Sequence, residues 1–424
     1  MSAIDHYLGR YAEPEASLAE RCAELAPDEQ LVVVPSFAEG AGILPTVASL
    51  EQAAEWAQVR CRLVIVVNGP ESPTPQQAQS NQRSLDVLRE RWPRSYALDA
   101  GRSFGAAGDR VSVVVIDRCS AGRGLPSGQG VGLARKIGAD LALSLLQRKN
   151  APASAVMRFT DADALLPADY LQSIALGDAV AAIYPFVHVK PTDAAAARAI
   201  ELYELSLRYY VAGLRFAGSP YAFHTVGSTL AVTAGGYAAV RGVPRRQAAE
   251  DFYLLNKLAK TGPVLALADR QPIELDARRS DRVPFGTGAM MNRMSAGADL
   301  LFYDPQLFVV LKQLLQRLPL TEQPLLEPLS RVASKLADEL KQLRRLADHP
   351  NQRQVLRQQQ VYFDAWKTLQ LIHRGRDLAF PSLPWRTAVQ QAPFFSQCSA
   401  SLSEALAAAT ALDYRAVHWA GIAR

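Results

Sequence analysis

Two patterns of hydrophobic and polar residues alternate along the first 160 positions of the chain. Four short runs rich in valine and isoleucine begin at Leu31, Arg62, Arg110 and Ala155. Nearly continuous apolar runs of this kind are typical of strands buried on both faces of a parallel sheet. Apolar residues recur at helical spacing after the first and third runs, at positions 44, 47, 50 and 54 and at 133, 137, 141 and 145. The order strand, helix, strand predicts an α/β fold.

The pattern changes near Asp299, where long amphipathic helices rich in leucine and glutamine begin. We therefore predict an α/β domain over residues 1–298 and an α-helical region over residues 299–424. The leucine-rich faces of these helices predict packing against the first domain or against a second copy of the chain, as a homodimer. Two polar stretches of the first domain, SPTPQQAQSNQRS from Ser72 and GQGVG from Gly128, are interpreted as loops.

Composition narrows the class of protein. The chain has 424 residues, of which 49% are hydrophobic and 21% charged, as in an ordinary globular protein. A formal net charge of +5 favours an anionic small molecule over a nucleic acid as the ligand. Four cysteines far apart, no signal-peptide pattern and no apolar run of ~20 residues predict a soluble cytoplasmic protein without a transmembrane segment.

The ends of the predicted strands carry the polar residues that a ligand site needs. In open parallel sheets, ligands bind beyond the carboxyl ends of the strands. The fourth run ends in TDADALLP, which places Asp161 and Asp163 one residue apart. On an extended backbone both carboxylates point to the same side, where together they can hold a divalent cation. The alternative is that one of them caps the following turn.

Five phrases of the chain occur in the order, and near the spacing, found in one enzyme family. They are LVVVPSFAEG, RLVIVVNGP, GLARKIGADLAL, MRFTDADALLPADYL and AAEDFYLLNKLAKTG. Over Leu31 to Gly262 the chain resembles the sugar-nucleotide-dependent glycosyltransferases of family 2. The resemblance implies a GT-A type fold, which is a Rossmann-like, mainly parallel sheet flanked by helices, followed here by the C-terminal helical region.

The resemblance also implies residues that bind the nucleotide-sugar. Pro35 and Glu39 match the Pro-x-x-x-Glu phrase that lies near the nucleotide in the family. Asn68 stands where the family has an Asp-rich phrase that contacts the base. Arg135 matches the arginine of an Ala-Arg-Asn-x-Gly phrase near the phosphates, whereas Lys136 replaces the asparagine and is interpreted as a solvated surface residue.

The family's DxD motif falls on Asp161 and Asp163. The resemblance implies that Asp161 lies near the ribose and that the pair holds Mn²⁺ or Mg²⁺ on the diphosphate, where the metal acts as a Lewis acid. Asp251 matches the aspartate of a Glu-Asp pair that removes the acceptor's proton in the family. Glu250, beside it, is interpreted as an acid that complements the helix dipole.

Two further stretches are open to more than one interpretation. Arg279 and Arg282 lie in a Gly-containing basic segment that either closes over the diphosphate or forms an exposed linker. His224 lies between apolar residues and is interpreted as structural.

These observations predict a soluble, metal-dependent hexosyltransferase of class EC 2.4 that moves a sugar from a nucleotide-sugar to a small or soluble acceptor. Asp251 as base favours inversion of the anomeric centre, and a retaining relative remains open because the sequence does not fix the stereochemical outcome. Processive synthases of the family carry a Gln-x-x-Arg-Trp motif that is missing from this sequence. Two alternatives remain. One is a nucleotidyltransferase, which would need basic residues after the first strand, where PSFAEGAGILP has none. The other is a degenerate GT-A fold that acts only in binding or regulation.

Overall fold

Strands and helices alternate through the first two thirds of the computed structural model, which describes residues 2–277, 287–295, 300–318, 327–347, 350–395 and 401–413. The strands are β1 Gln30–Ser36, β2 Cys61–Asn68, β3 Ser95–Ala97, β4 Phe104–Ala106, β5 Val111–Arg118, β6 Val156–Phe159, β7 Ala181–Ile183, β8 Phe186–His188, β9 Leu230–Thr233, β10 Val264–Ala266, β11 Ile273–Leu275, β12 Leu301–Phe302 and β13 Leu383–Pro384.

The helices of the same ranges are α1 Ala3–Arg10, α2 Leu44–Ala57, α3 Pro75–Arg91, α4 Gly130–Arg148, α5 Ala194–Phe216, α6 Ala234–Ala239, α7 Glu250–Leu258, α8 Thr287–Ser295, α9 Gln306–Gln316, α10 Leu329–Val332, α11 Ala337–Arg345, α12 Gln352–Tyr362, α13 Ala365–Leu378, α14 Trp385–Gln391 and α15 Leu402–Asp413. Short 3₁₀ helices span Pro14–Arg21, Gly40–Ile43, Ala168–Leu171, Gly227–Thr229 and Ala333–Leu336.

The described residues form two compact units. Unit 1 contains the residues up to Val189 and those of Thr225–Asp276. Unit 2 contains Lys190–His224 and the described residues from Ala277 onward. Helix α5 therefore belongs to unit 2, although it lies inside the range predicted as the first domain. The predicted division of the chain at residue 299 stays a prediction.

Unit 1 is built on a nine-stranded sheet with the order β10-β7-β9-β6-β1-β2-β5-β4-β3. Its centre, β6-β1-β2-β5, is parallel and consists of the four strands predicted from the apolar runs. Strand β9 runs antiparallel to both of its neighbours, and β4 and β3 add an antiparallel edge. The predicted α/β fold with a large, centrally parallel sheet is confirmed.

Helices cover both faces of the central strands. On one face, Val47 and Leu50 of α2 lie against Val34 and Ile65. On the other face, a Cβ atom at Gly138 of α4 would lie 2.6 Å from the Val33 side chain, so glycine lets this helix approach the sheet closely. Because both faces are covered, all eight residues of β2 are buried. This explains why the strands appear in the sequence as continuous apolar runs.

The structure divides one apolar segment into two strands and corrects one predicted loop. The apolar segment around residues 179–189 forms two short strands, β7 and β8, because Pro185 lies between them and lacks a backbone N–H. Strand β8 leaves the large sheet and pairs with β11. The stretch interpreted as a polar loop from Ser72 contains the whole first half of α3. The start of this helix is fixed by reciprocal hydrogen bonds between Thr74 and Gln77 and by Pro75 in the first turn.

Unit 2 is a cluster of helices around an aromatic core. The ring of Tyr209 on α5 lies 5.2 Å from Phe302, 5.8 Å from Phe308 and 5.2 Å from Phe394, measured between ring centroids. Asp413, at the end of α15, accepts hydrogen bonds from Arg208 and Arg215 of α5, at 2.6 Å and 3.0 Å. The leucine-rich helices thus bury much of their apolar surface inside this unit.

Across the ranges that the structure describes, no helix has both the length and the apolar character needed to span a membrane.

Candidate functional site

Arg135, in the second turn of α4, joins three separate segments of unit 1. Its side chain is 2% exposed. The guanidinium donates to Asp161 Oδ1 at 2.8 Å, to the carbonyl oxygen of Gly227 at 3.1 Å and to Glu250 Oε1 at 3.2 Å. Burial opposes the charge of Arg135, but the two carboxylates outweigh it and raise the pKa of the guanidinium. The end of β6, the turn before β9 and the start of α7 therefore meet at one side chain.

Glycines at the start of α4 make this convergence possible. A Cβ atom at Gly132 would lie 2.5 Å from the carbonyl oxygen of Pro244 and 2.6 Å from that of Arg246. The N–H of Gly132 donates to the same Arg246 oxygen at 2.9 Å. The GQGVG phrase, interpreted from sequence as a flexible loop, instead runs into the first turn of α4 and packs against the segment that precedes α7. That correction explains the spacing of its glycines.

Asp251 lies in the first turn of α7, beside the Arg135 cluster. Its Oδ1 accepts a hydrogen bond of 2.7 Å from the backbone N–H of Phe252. Burial and the negative charge of Glu250 raise the pKa of Asp251 to about 7, although Arg135 and the Phe252 N–H act in the opposite direction. A Cβ atom at Gly227 would lie 2.6 Å from Arg135 Nη2 and 3.5 Å from Asp251 Oδ2. Asp251 is thus a carboxylate that exchanges its proton near neutral pH, with Gly227 next to it.

Asp161 and Asp163 follow β6 at the carboxyl edge of the sheet. The backbone turns at Ala162 and Asp163 instead of staying extended. The carbonyl oxygen of Ala162 accepts from the Thr46 hydroxyl at 2.9 Å, which fixes this turn against α2. The side chain of Asp161 is 37% exposed, and Asp163 is partly exposed. Both aspartates can therefore be reached from solvent.

The donor set of this pair fits a hard divalent cation. Within the described residues, no three His, Cys, Asp or Glu side chains come together as a metal cluster. Mg²⁺, however, is commonly held by one or two carboxylates together with phosphate oxygens of the substrate. Two carboxylates beside a buried arginine match that mode of binding better than they match an all-protein cage.

The predicted residues of β1 and β2 lie at the same edge of the sheet. Pro35 is buried in β1, and Glu39 is partly exposed just before the 3₁₀ turn that leads to α2. Asn68 is 5% exposed, and its amide nitrogen donates to the carbonyl oxygen of Ser36 at 3.0 Å. That hydrogen bond ties the ends of β1 and β2 together. Nucleotide contacts by Pro35, Glu39 and Asn68 stay predictions.

Asn81 of α3 supports this edge and was missed by the sequence analysis. Its side chain donates to the carbonyl oxygen of Asn68 at 2.9 Å and accepts from the N–H of Ala38 at 2.8 Å. It thereby connects the loops that follow β1 and β2. The capping box at Thr74 was the signal that could have placed Asn81 on a helix.

Three buried polar atoms at the same edge lack a hydrogen-bond partner in the part of the chain that the structure describes. They are Oδ2 of Asp117 and the hydroxyl oxygens of Ser36 and Thr160. Ser36 and Asp117 both lie opposite Val67 in the parallel register, so they are on the same side of the sheet. Burial acts to raise the pKa of Asp117, but hydrogen bonds from Ser120 and Cys119 in the following turn outweigh it and lower the pKa below its usual value. Unsatisfied buried groups of this kind usually mark a place for water or a ligand.

Lys136 is not the solvated surface residue that the sequence suggested. It is 4% exposed, and its ammonium donates to Tyr7 Oη at 2.5 Å, to the carbonyl oxygen of Tyr11 at 2.9 Å and to Asp140 Oδ2 at 2.7 Å. Asp140 Oδ1 also accepts from the hydroxyl of Tyr237. This buried network fixes α1 and α6 to α4. Asp140 lies only one helical turn from Lys136, but Tyr7, Tyr11 and Tyr237 are too distant in sequence to be recognised as partners there.

The remaining predicted residues lie elsewhere. Arg279 and Arg282 are outside the described residues. His224 belongs to unit 2, where its Nε2 lies 2.9 Å from Asp413 Oδ2. This contact agrees with the structural interpretation of His224.

Of three comparisons with known proteins, two find no match and one finds a weak structural similarity. No family model matches the chain. No curated protein matches it either. Among solved structures, the chain is similar to the mannosyltransferase PcManGT from Pyrobaculum calidifontis in complex with GDP-Man and Mn²⁺. The two are 16% identical, with a TM-score of 0.35, and the match covers 97% of this chain and 95% of that one. A likeness this weak assigns no function to the chain.

Proposed function

We propose that unit 1 is a glycosyltransferase of the GT-A type, which moves a hexose from a nucleotide-sugar to a hydroxyl group of a small acceptor. The observation that carries the proposal is the set of contacts made by Arg135. They bring the Asp161 end of the DxD motif and the Glu250-Asp251 pair to one place, although these lie about 90 positions apart in the sequence. Three of the five phrases that resemble family 2 glycosyltransferases thus supply one connected cluster.

The donor's diphosphate is bound beside Asp161 and Asp163. A divalent cation held by these carboxylates would supply positive charge to the departing nucleoside diphosphate. Arg135 keeps Asp161 in place and balances the local negative charge of Asp161 and Glu250. Because the arginine is buried and holds three partners, its position changes little when the donor enters.

Asp251 takes the proton of the acceptor hydroxyl as the oxygen attacks the anomeric carbon, which gives inversion. A general base works best when its pKa is near the operating pH. The pKa of Asp251, about 7, meets that condition, and its cause is burial next to Glu250. Glu250 cannot share this role readily, since its carboxylate is 5% exposed and paired with Arg135.

Donor binding tests the proposal first. We expect wild-type protein to bind a nucleoside diphosphate more tightly in the presence of Mn²⁺ or Mg²⁺, and Asp163→Ala to abolish that stimulation while the melting temperature stays unchanged. Asp269→Ala is a matched control, because Asp269 is an exposed aspartate of the same unit. Isothermal titration calorimetry with and without chelator gives the answer. Undiminished, chelator-insensitive binding by Asp163→Ala would exclude the proposed metal site.

Product analysis tests the reaction itself. A panel of nucleotide-sugars offered with cell extract should yield nucleoside diphosphate and a glycosylated small molecule, detected by mass spectrometry. Release of pyrophosphate in a parallel assay that offers a nucleoside triphosphate and a sugar phosphate would indicate a nucleotidyltransferase instead. Binding without any turnover would indicate a protein that has kept only the donor site.

A further inference from the structure

A group of basic side chains surrounds the segment that connects α6 to α7, outside the Arg135 cluster. Arg241, Arg246 and Lys257 are all exposed. Arg241 lies two residues after the end of α6, Arg246 lies before α7, and Lys257 is in the last turn of α7. Neither the family resemblance nor the proposed reaction uses any of them.

Contacts hold these three cations close together. The guanidinium carbon of Arg246 lies 3.8 Å from the ring centroid of Tyr253. Lys257 is one helical turn beyond Tyr253, on the same face of α7. Its ammonium reaches back to the carbonyl oxygen of Val240 at 3.4 Å, which places it beside Arg241, the next residue. Tyr253 therefore connects Arg246 to the face of α7 that carries Lys257, and Val240 connects Lys257 to Arg241.

The backbone under these side chains is fixed. The carbonyl oxygen of Arg246 accepts from the N–H of Gly132 at 2.9 Å, at the start of α4. The guanidinium carbon of Arg241 lies 4.9 Å from the ring centroid of Tyr11. A guanidinium stacked on an aromatic face keeps its N–H groups directed outward at the edge, where they can donate to an anion. Both arginines are thus held with donors available.

Among the residues that the structure describes, no carboxylate forms a salt bridge with Arg241, Arg246 or Lys257. Their neighbour Arg245 differs, since it is paired with Glu13 at 2.8 Å. Desolvation of its ammonium group and the charges of Arg241 and Arg246 lower the pKa of Lys257, and Lys136 and Lys260 add to the effect. The cations therefore repel one another, and an anion placed among them would relieve that repulsion.

We propose that Arg241, Arg246 and Lys257 form a binding site for a phosphate-bearing ligand. Two guanidinium forks and one ammonium match a phosphate group, which has several acceptor oxygens and more than one negative charge, better than they match a single carboxylate. The phosphate belongs either to a free small molecule or to a lipid headgroup. The site does not depend on the proposed function, because none of its residues belongs to the Arg135 cluster.

Calorimetry with inorganic pyrophosphate, in chelator and at low ionic strength, tests the site. We expect the double variant Arg246→Gln with Lys257→Gln to bind pyrophosphate about tenfold more weakly than wild type, or worse. Arg60→Gln is the matched control, an exposed arginine elsewhere in unit 1, and should bind as wild type does. The Mn²⁺-stimulated part of nucleoside diphosphate binding, which reports the donor site, should be equal in all three proteins.

A second measurement distinguishes the sources of phosphate. Protein is sedimented with vesicles of phosphatidylglycerol or, as a neutral control, phosphatidylcholine. If wild type binds the anionic vesicles and the double variant does not, the site binds a lipid headgroup. If the double variant loses only the binding of pyrophosphate, the site binds a free ligand. Equal behaviour of wild type and double variant in both measurements, or no binding in either, overturns the proposal. Arg241→Gln repeats the test if the double variant unfolds.

Discussion

At the scale of single residues, Arg135 and Asp251 show how neighbours set the chemistry of a side chain. Arg135 directs three of its nitrogens at three segments, so Asp161 and Glu250 share one buried cation. Asp251 is next to this cluster but has a raised pKa, because burial and Glu250 outweigh the arginine. Two adjacent acids of α7 therefore differ in environment: Glu250 is an ion-pair partner, whereas Asp251 is the proposed proton acceptor.

Asp251→Asn should lower kcat by about 10²- to 10⁴-fold, which is the usual contribution of a general base. Donor affinity should stay the same, since the substitution keeps the size of the side chain. In wild type, kcat/KM should fall as the pH drops below about 7, because Asp251 becomes protonated. Steady-state kinetics over a range of pH measures both effects. A near-wild-type kcat would remove Asp251 from the mechanism.

The same variant has an expected signature in stability. The pKa of Asp251 is higher in the folded state than its reference value of 3.8, so its contribution to stability is present at low pH and is lost as the pH rises through about 7. Asparagine has no charge to bury. The melting temperature of Asp251→Asn relative to wild type should therefore be higher above pH 7 than well below it, and a pH-independent difference would contradict the raised pKa.

Gly227→Ala should displace the guanidinium of Arg135. The new Cβ atom would lie 2.6 Å from Nη2, which is held by Asp161 and has little room to move. We expect a loss of about 1–3 kcal/mol in the free energy of unfolding and a marked loss of turnover. Gly9→Ala is the control, since nothing lies within 4 Å of a Cβ there. Normal turnover by Gly227→Ala would show that the position of Arg135 is not critical.

At the scale of elements, the network between α1, α4 and α6 is the clearest case of long-range fixation. Asp140 accepts hydrogen bonds from Tyr7, Tyr237, Lys136 and the N–H of Glu13. All four of these hydrogen bonds are buried. The Lys136–Asp140 ion pair at the centre of this network therefore holds α1 in place, in addition to the apolar contacts of α1.

Asp140→Asn should destabilise unit 1, because it leaves the buried ammonium of Lys136 without its nearest carboxylate. Removing one partner of a buried ion pair typically costs about 3–5 kcal/mol. Urea unfolding measures the change. Asp269→Asn, which alters an exposed aspartate of the same unit, should have little effect. A loss as small as that of the control would mean that Glu13, 3.8 Å from Lys136, is a sufficient partner.

Elements and site residues were predictable where the signal was local. The four central strands follow from unbroken apolar runs, and Asp161, Arg135 and Asp251 were named from short phrases of the sequence. Helix α3 was missed because its polar first half hides the pattern, and Pro185 divides a run that otherwise looks like one strand. The parts that no local pattern reveals are pairwise contacts between distant positions, such as the one between Arg135 and Gly227.

At the scale of the whole molecule, the two units have separate sets of stabilising charges. In unit 2, Asp413 is surrounded by Arg208, Arg215 and His224. Burial acts to raise the pKa of Asp413, but these three neighbours outweigh it and lower the pKa to about 2. A lowered pKa means that Asp413 stabilises the fold above its reference value of 3.8, and that this stabilisation is lost as the pH falls toward 2.

Asp413→Asn should therefore destabilise unit 2 at neutral pH, with a difference from wild type that shrinks in acid. Hydrogen exchange measured by mass spectrometry localises the effect. We expect faster exchange in α5 and α15, and unchanged exchange in α1, α4 and α6, which Asp140→Asn should affect instead. Faster exchange in all of these helices in both variants would mean that the two units unfold as one.

The interrupted course of unit 1 along the chain has a consequence for synthesis on the ribosome. Helix α5 is made before strands β9, β10 and β11, which complete unit 1, and before Phe302 and Phe308, which cover Tyr209. From the end of α5 to Phe308, translation at about 5–20 residues per second takes roughly 5–20 seconds. During that interval the apolar face of α5 has emerged without its later partners. We expect a nascent chain with such an uncovered helix to bind a ribosome-associated chaperone. Translation that slows after residue 216 would lengthen the exposure of the apolar face of α5.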